Sequence, residues 1–157
     1  MASRLYFEDF QPGQCRNLGT RTISAEEIIR FAREYDPQPF HVNQEAAARS
    51  NFGGLIASGW HTCAVVMRMM CDAYLLDAAS MGSPGVDELR WLAPVRAGDT
   101  ITVTATVLET RRSKSKPDRG LVQSLWQVQN QRGELVLSMR GWGMFRTRAS
   151  RDPANPE

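Results

Sequence analysis

The sequence predicts an α+β domain in which a largely antiparallel sheet curves around one long helix. From Ser58 or Gly59 to about Ala79 the chain is apolar nearly all round, as expected of a buried helix. After residue 85 the hydrophobic period changes to two, most clearly over 101–108, where apolar residues alternate mainly with threonines. Short turns join the strands, so neighbouring strands should run antiparallel. The helix that precedes them needs a curved sheet to cover it.

Size and composition indicate one globular domain, which we expect to span 1–148, with a loose tail at 149–157. The chain has 157 residues, of which 42% are hydrophobic and 23% charged. Its net charge of +2 is well short of the charge of a nucleic-acid-binding surface. The three cysteines lie far apart and form no Cys-x-x-Cys pair. That pattern argues against a disulfide framework or a zinc site and suits a reducing cytoplasm.

Neither the N-terminal segment nor the apolar middle of the chain predicts a membrane protein. Acidic residues occur within the first ten positions and no apolar signal-peptide core is present. The most apolar stretch, 63–76, contains charged residues and is too short to cross a bilayer. We therefore expect a cytoplasmic protein that binds neither membrane nor nucleic acid.

The first elements are an entry arm and a short strand. Residues 1–17 read as the arm, with Phe7 and Phe10 as its anchors. Residues 18–23 can form a strand. These assignments place the first strand directly before the first helix.

Two short helices are expected next. Ser24-Ala-Glu-Glu27 matches a capping box and is followed by an apolar stripe, which predicts a helix. That helix must end at Asp36, because Pro37 disfavours the helical region for the residue before it. Asn43 is placed to cap a further helix through Ala48.

Two prolines stiffen the segment between these helices. Pro37 and Pro39 fix their own φ angles and push the residues before them out of the helical region. We therefore expect no helix between Asp36 and His41. A segment of this kind should hold the carboxylate and the imidazole in one defined relation.

The second half of the chain predicts strands joined by turns. The expected strands are 86–92, 101–108, 121–130 and 134–145, and the turns are 96–99 and 130–133. An antiparallel sheet of this sort leaves an edge strand unpaired. Dimerisation is a natural way to cover such an edge.

Ser58 and Gly59 stand where the long helix begins. The first backbone N–H groups of a helix have no partner within it, and together with the helix dipole they can bind an anion or a developing oxyanion. The plainer interpretation is an N-cap and a tight turn without a ligand, and the two are compatible. His61 follows in the first turn, where a positive charge is disfavoured, so we expect a neutral structural histidine.

The run Asp36-Pro-Gln-Pro-Phe-His41, followed by Gly53-Gly-Leu-Ile-Ala-Ser-Gly59-Trp-His-Thr62, resembles the MaoC-like dehydratases, close to the (R)-specific enoyl-CoA hydratases. That family usually shows D-x-N-P-x-H followed by a short A-H-G or A-S-G segment that opens the central helix. The likeness covers nearly the whole chain. It includes the segments 6–10, 87–99 and 130–133.

The sequence departs from the family pattern at three positions. Gln38 stands where many hydratases have Asn, Asn43 where they often have Asp, and Ser58 where they have His before the glycine. Asp36, His41 and Gly59, the residues of the family chemistry, are retained.

The resemblance implies a hot-dog fold and a hydratase or dehydratase that acts on a 2-enoyl thioester of coenzyme A. It implies that Asp36 and His41 hold one water. Asp36 would act as the base, and His41 would orient the water and help to manage the proton delivered at C2. Gly59 and Ser58 would form the oxyanion and substrate-binding site, in which the N–H of Gly59 stabilises the enolate-like oxygen. The resemblance further implies a homodimer or an assembly of dimers, and no metal or cofactor beyond the coenzyme A of the substrate.

Two other functions stay open for the same fold. A thioesterase would need a carboxylate near the start of the central helix, but Asp72 lies thirteen residues beyond Gly59, or ~20 Å along the axis. A non-catalytic acyl-binding or assembly module would be favoured by loss of Asp36 or His41, and both are present. The basic run 111–119 reads as a solvated loop, with contact to coenzyme A phosphates as the less favoured interpretation.

Overall fold

The computed structural model describes residues 4–150, and within them one five-stranded antiparallel sheet lies against four α-helices. The strands are β1 (Cys15–Thr22), β2 (Gly85–Trp91), β3 (Thr100–Arg112), β4 (Arg119–Gln129) and β5 (Leu135–Arg146). The helices are α1 (Ala25–Tyr35), α2 (Pro39–Val42), α3 (Gln44–Ala48) and α4 (Gly59–Met70). The predicted α+β arrangement of helix and antiparallel sheet is confirmed.

In the strand order β1-β3-β4-β5-β2, the three strands that are consecutive in sequence, β3, β4 and β5, lie at the centre of the sheet. β3, β4 and β5 follow one another through short turns, as the sequence pattern predicts. β1 and β2 come earlier in the chain and form the two edges. Register shifts interrupt the pairing of β2 with β5 and of β3 with β4, and bulges of this kind bend strands and increase twist. The sheet can thus curve around α4.

One face of helix α4 packs into the hydrophobic core. The buried side chains of this helix are His61, Thr62, Val65, Val66, Met69 and Met70. Alternate residues of β3 and β4 are buried against the same core. On the other side of the helix, Trp60 is 60% and Met67 49% exposed in the single chain. The nearly uniform apolar pattern of the helix therefore exceeds what one copy of the chain can bury.

The expected ends of α1 and the start of α3 are confirmed by hydrogen bonds. The Ser24 side chain accepts a hydrogen bond from the N–H of Glu27 at 3.1 Å, and α1 ends with Asp36 as its C-cap. The side chain of Asn43 accepts a hydrogen bond from the N–H of Ala46 at 2.8 Å. Asn43 is thus used as a helix cap.

The expectation that no helix lies between Asp36 and His41 is wrong, because the one-turn helix α2 includes His41. Proline at the first helical position loses only an N–H that would have no helical partner, and its fixed φ suits the helix. Pro39 occupies that position. Pro37 still keeps α1 and α2 apart, so the carboxylate and the imidazole lie on separate short elements.

The central helix is also shorter than predicted. α4 ends at Met70 and continues only as a π-helical turn, Cys71–Leu75. Beyond it the backbone bonds to the entry arm: the N–H of Leu5 donates to the carbonyl of Asp77, and the N–H of Ala79 donates to the carbonyl of Leu5. These bonds compete with further helix, and an apolar pattern in the sequence does not reveal them.

The entry arm is anchored as expected, since Phe7 and Phe10 are both buried. Near the other end of the chain, Arg148–Ser150 forms a single 3-10 turn. The remainder of the predicted tail, 151–157, lies outside the described residues. None of the helices within residues 4–150 has both the length and the apolar character needed to cross a membrane.

Candidate active site

A cavity of about 450 Å³ opens at the N-terminal end of α4. Three of the predicted site residues, Asp36, His41 and Gly59, lie in its wall. Most of the other lining side chains are apolar: Phe40, Phe52, Ile56, Ala57, Trp60, Trp91, Leu92, Ala93, Pro94, Val95 and Val136. A cleft with an apolar wall and a few convergent polar groups is the usual form of a small-molecule site.

Asp36 and His41 face each other in this cavity. Asp36 caps the end of α1, and His41 lies on α2. The Nε2 atom of His41 is 3.3 Å from Oδ2 of Asp36. The side chain of His41 is 6% exposed and that of Asp36 19% exposed, so both are largely shielded from bulk solvent while still lining the cavity.

A backbone carbonyl fixes the tautomer of His41. Its Nδ1 atom lies 2.8 Å from the carbonyl oxygen of Ile56. A carbonyl oxygen can only accept, so Nδ1 must carry the hydrogen. In the neutral ring Nε2 is then a proton acceptor, and it is the nitrogen that faces Asp36.

Two hydrogen bonds hold the carboxylate of Asp36. The hydroxyl of Ser58 donates to Oδ2 at 2.7 Å, and the side-chain amide of Gln38 donates to Oδ1 at 2.7 Å. Burial by itself would raise the pKa of Asp36. The hydrogen bonds from Ser58 and Gln38, together with the positive charge that His41 can carry, outweigh burial and lower that pKa below its ordinary value. Asp36 is therefore ionised at neutral pH.

Gly59 begins α4 and presents its backbone to the cavity. Within residues 4–150 its N–H makes no hydrogen bond to another residue, as expected at the first position of a helix. A Cβ atom at this position would lie 2.4 Å from the indole ring of Trp91. Glycine is therefore needed for Trp91 to pack against the start of the helix.

Ser58, the fourth predicted site residue, is fully buried and is absent from the cavity wall. It occupies the N-cap position, but its hydroxyl makes no capping hydrogen bond and is directed to Asp36 instead. Asp36, His41 and Gly59 thus line one cavity. Ser58 lies outside its wall and contacts the site through its hydrogen bond to Asp36. The Ile56 carbonyl and the ring of Trp91 were not anticipated, since neither a backbone contact nor one residue of a predicted strand carries a sequence signal.

Comparison with known proteins places the chain in a family. Residues 9–126 match the model of the MaoC like domain. An (R)-specific enoyl-CoA hydratase from Rhodospirillum rubrum is 35% identical over 107 residues, which cover 65% of this chain and 69% of that protein. The chain belongs to the MaoC-like family.

Two further relatives extend the likeness along the chain. A mesaconyl-CoA hydratase from Cereibacter sphaeroides is 40% identical over 156 residues, which cover 95% of this chain but 43% of that protein. The crystal structure of a MaoC-like dehydratase from Rhodospirillum rubrum matches with a TM-score of 0.85 and 42% identity, covering 92% of this chain and 98% of that one. The fold is the hot-dog fold expected from the sequence.

In this MaoC-like chain the three departures from the family pattern have separate places in the structure. Asn43 caps α3, outside the cavity wall. Gln38 and Ser58 both bond the carboxylate of Asp36. Two of the three unusual residues therefore act on the same side chain.

His61 lies outside the cavity wall of this MaoC-like site, on the side of α4 that faces α1. Its ring stacks on Phe31, and its Nε2 lies 3.3 Å from a carboxylate oxygen of Glu27. Burial lowers the pKa of His61, and this effect exceeds the opposing influence of Glu27. The ring is buried, and the direction of its pKa shift agrees with the expectation of a neutral structural histidine.

The basic run 111–119 forms the loop between two strands, as expected, with its first two residues and its last residue in those strands. β3 extends to Arg112 and β4 begins at Arg119. Its three arginines pair with neighbouring carboxylates, those of Glu109, Glu8 and Asp118. The turn at 113–118 precedes β4. The cavity residue Val136 lies on β5, beside the other end of β4, and an eleven-residue strand separates the two by ~30 Å. Within one chain, this turn does not border the cavity.

Proposed function

We propose that this chain is a hydratase/dehydratase that adds water to a 2-enoyl thioester of coenzyme A, or removes it from the 3-hydroxyacyl thioester. The observation that carries the proposal is the position of Asp36, His41 and Gly59 around one apolar cavity. Relatives named (R)-specific enoyl-CoA hydratase, 3-hydroxybutyryl-CoA dehydratase and 3-hydroxyacyl-thioester dehydratase Z support it.

The hydrogen-bonding roles of the pair favour a single shared water. Asp36 is ionised and can only accept, and when the His41 ring is neutral its Nε2 can also only accept. Two acceptors 3.3 Å apart cannot bond each other, but one water has two hydrogens and can donate to both. The pair is therefore arranged to hold and orient a water.

Hydration then proceeds by transfer of one proton and formation of one C–O bond. Asp36 takes a proton from the water while the water oxygen bonds to C3 of the enoyl group. The electron pair of the double bond moves to the thioester carbonyl, which becomes enolate-like. The proton held by the pair is delivered to C2, and His41 keeps the water and this proton aligned. The product has gained H and OH, and dehydration is the reverse of these steps.

The N–H of Gly59 has the role of oxyanion donor in this mechanism. It has no hydrogen-bond acceptor among the described residues, and Gly59 lines the cavity. A positioned donor of this kind is typically worth ~3 kcal/mol of transition-state stabilisation. Acid–base and electrostatic groups of the chain account for each step, so we propose a reaction without a metal or a cofactor other than the coenzyme A of the substrate.

We further propose that the chain works as a homodimer or as an assembly of dimers. β2 is an edge strand whose residues are almost all exposed in the single chain. Val86, Trp91 and Leu92 are about half exposed there, as are Trp60 and Met67 on α4. An unpaired edge beside exposed apolar side chains is typical of a surface that is covered by a partner, and a two-fold partner covers both copies at once.

The experiment that tests the function is a screen of enoyl thioesters. Crotonyl-CoA, longer enoyl-CoA esters and branched esters, including mesaconyl-CoA, are incubated with the protein while the enoyl absorbance is followed. We expect loss of absorbance with at least one ester and none with the Asp36→Asn variant. A protein that hydrates none of them would contradict the proposal.

The same screen separates a thioesterase, because release of free coenzyme A thiol can be measured in parallel. We expect little release. Asp72, a candidate thioesterase base, is absent from the cavity wall and pairs with Arg68 at the surface.

A further inference from the structure

The hydroxyl of Ser58 is used in an unusual way. Serine at an N-cap ordinarily accepts a hydrogen bond from the backbone of the first helical turn. Ser58 stands at the N-cap of α4 and makes no such bond. Its hydroxyl instead donates to Oδ2 of Asp36 at 2.7 Å, although the residue is fully buried. The Ser58 hydroxyl therefore bonds the carboxylate of Asp36 and does not cap α4.

We propose that Ser58 is a positioning residue that orients the carboxylate of Asp36 and makes Oδ2 the oxygen that receives the proton of the water. The inference rests on the proposed hydration reaction and deepens it. Ser58 itself does not line the cavity, so it acts through Asp36 and not on the substrate.

The geometry at Oδ2 carries the first step. A carboxylate oxygen has two lone-pair directions. On Oδ2 one is taken by the Ser58 hydroxyl, and the same oxygen faces Nε2 of His41 at 3.3 Å. The remaining acceptor direction of Oδ2 is thus the one available to a water that also donates to His41. Oδ1 is the oxygen that bonds Gln38.

The environments of the two donors show why Ser58 has the stronger influence. Gln38 is exposed, so solvent can replace its amide at little cost. Ser58 is excluded from solvent. If its hydroxyl is removed, water cannot replace the lost hydrogen bond to the charged oxygen of Asp36, so the loss costs more free energy. The buried bond therefore holds the carboxylate plane, and the exposed bond adds to it.

Ser58 also joins the base to the oxyanion donor. The adjacent residue is Gly59, and consecutive Cα atoms are about 3.8 Å apart across a trans peptide. One short backbone segment thus carries both the residue that bonds Asp36 and the N–H that we assign to the thioester oxygen. The Ser58–Asp36 hydrogen bond and the peptide that joins Ser58 to Gly59 thus couple the position of the base to that of the oxyanion donor.

The Ser58 bond also influences how readily the proton is returned. A donor to the carboxylate stabilises its charged form and lowers the pKa of Asp36. Once Oδ2 is protonated it is a poorer acceptor, and the bond weakens. Among the described residues of the cavity wall, His41 is the other titratable side chain; Glu34 and Tyr35, at the end of α1, are exposed. A substitution of Ser58 should therefore appear as a change in the pKa of Asp36.

The test compares the pH dependence of kcat/KM in Ser58 variants. In Ser58→Ala we expect kcat to fall ten- to hundredfold, the range for loss of a hydrogen bond to a charged group. The acid limb should move to higher pH, because the pKa of Asp36 rises when a donor is lost. Ser58→Cys, which fills the site with a slightly larger group that donates weakly, should behave like Ser58→Ala. Ser58→Thr, which keeps the hydroxyl, should restore the wild-type acid limb.

A matched control is Ser124→Ala, which removes a buried serine hydroxyl on β4 away from the cavity. It should leave the profile unchanged. Titration of the Asp36 carboxyl carbon by NMR, assigned with Asp36→Asn, gives a readout that needs no substrate. An unchanged acid limb and an unchanged Asp36 titration in folded Ser58→Ala or Ser58→Cys would overturn the proposal. A wild-type protein inactive on every ester would overturn the hydratase function, while the NMR titration would still decide the role of Ser58.

Discussion

Nδ1 of His41 lies 2.8 Å from the carbonyl oxygen of Ile56, fifteen positions further along the chain. The contact joins α2 to the segment that leads into α4, and it determines which ring nitrogen faces Asp36. Because the acceptor is a backbone atom, substitution of the Ile56 side chain cannot remove it. The acid–base pair is thus oriented by the fold itself, and its tautomer does not depend on another side chain.

The first prediction concerns Asp36→Asn. The amide keeps the shape of the carboxyl group but cannot take a proton from water, so kcat should fall by at least ~100-fold, the low end for a general base. Steady-state kinetics on the active enoyl thioester measure this, and circular dichroism checks the fold. Near-full activity in a folded Asp36→Asn protein would rule out the proposed mechanism.

His41→Ala should lower kcat by a factor similar to that of Asp36→Asn, because the same water loses its second hydrogen-bond acceptor. Asp36 and His41 serve one water, so the double variant should lose much less than the product of the two single losses. The double-mutant cycle in kcat measures this coupling. Multiplicative losses would indicate that the two residues act in separate steps.

Much of this site could be predicted from the sequence, because its residues lie in two short runs. The spacing of Asp36 and His41, and the glycine 23 positions after Asp36, are read directly from the chain. The helix caps at Ser24 and Asn43 were predictable for the same reason, since a cap depends on residues three apart.

The parts that could not be predicted depend on contacts between distant segments. Ser58 was expected to cap the helix and to form the oxyanion site with Gly59, and only the fold brings Asp36 within reach of its hydroxyl. The central helix ends early because Leu5 bonds the backbone at 77–79. The helix at Pro39 is a different case, since proline is tolerated at a first helical position and the sequence pattern alone does not say where a helix begins.

A third prediction concerns Gly59→Ala. The new Cβ would lie 2.4 Å from the indole of Trp91, and Trp91 is 48% exposed, so its ring can swing toward solvent. We expect a red shift in tryptophan fluorescence, a loss of ~1–3 kcal/mol in the free energy of unfolding, as for an overpacked site, and reduced kcat.

The control for this prediction is the same change in a Trp91→Ala background. Without the indole there is no clash, so Gly59→Ala should cost much less stability there. Equal costs in the two backgrounds would mean that Trp91 does not set the requirement for glycine.

A fourth prediction concerns assembly. Light scattering at micromolar concentration should give the mass of a dimer or of a multiple of dimers. Val86→Lys places a charge on the exposed edge strand β2 and should shift the mass toward the monomer. Leu108→Lys is the control, because Leu108 is an exposed apolar residue on β3, which is separated from β2 by two strands.

A monomeric wild-type protein would contradict the dimer proposal outright. If both lysine variants reduced the mass equally, a surface other than the β2 edge would hold the copies together.

The last prediction links His61 to stability at low pH. Burial lowers the pKa of His61 in the folded protein below its ordinary value of 6.5. As pH falls through that value, the unfolded chain binds a proton that the folded chain does not, so unfolding becomes more favourable. Stability should therefore be unaffected by this group above pH 6.5 and should decrease below it, by at most about 1.4 kcal/mol per pH unit for one proton. His61→Gln cannot take up this proton. Its free energy of unfolding, measured with urea from pH 8 to pH 5, should fall less steeply than that of the wild type, and parallel curves would show that His61 does not stay neutral.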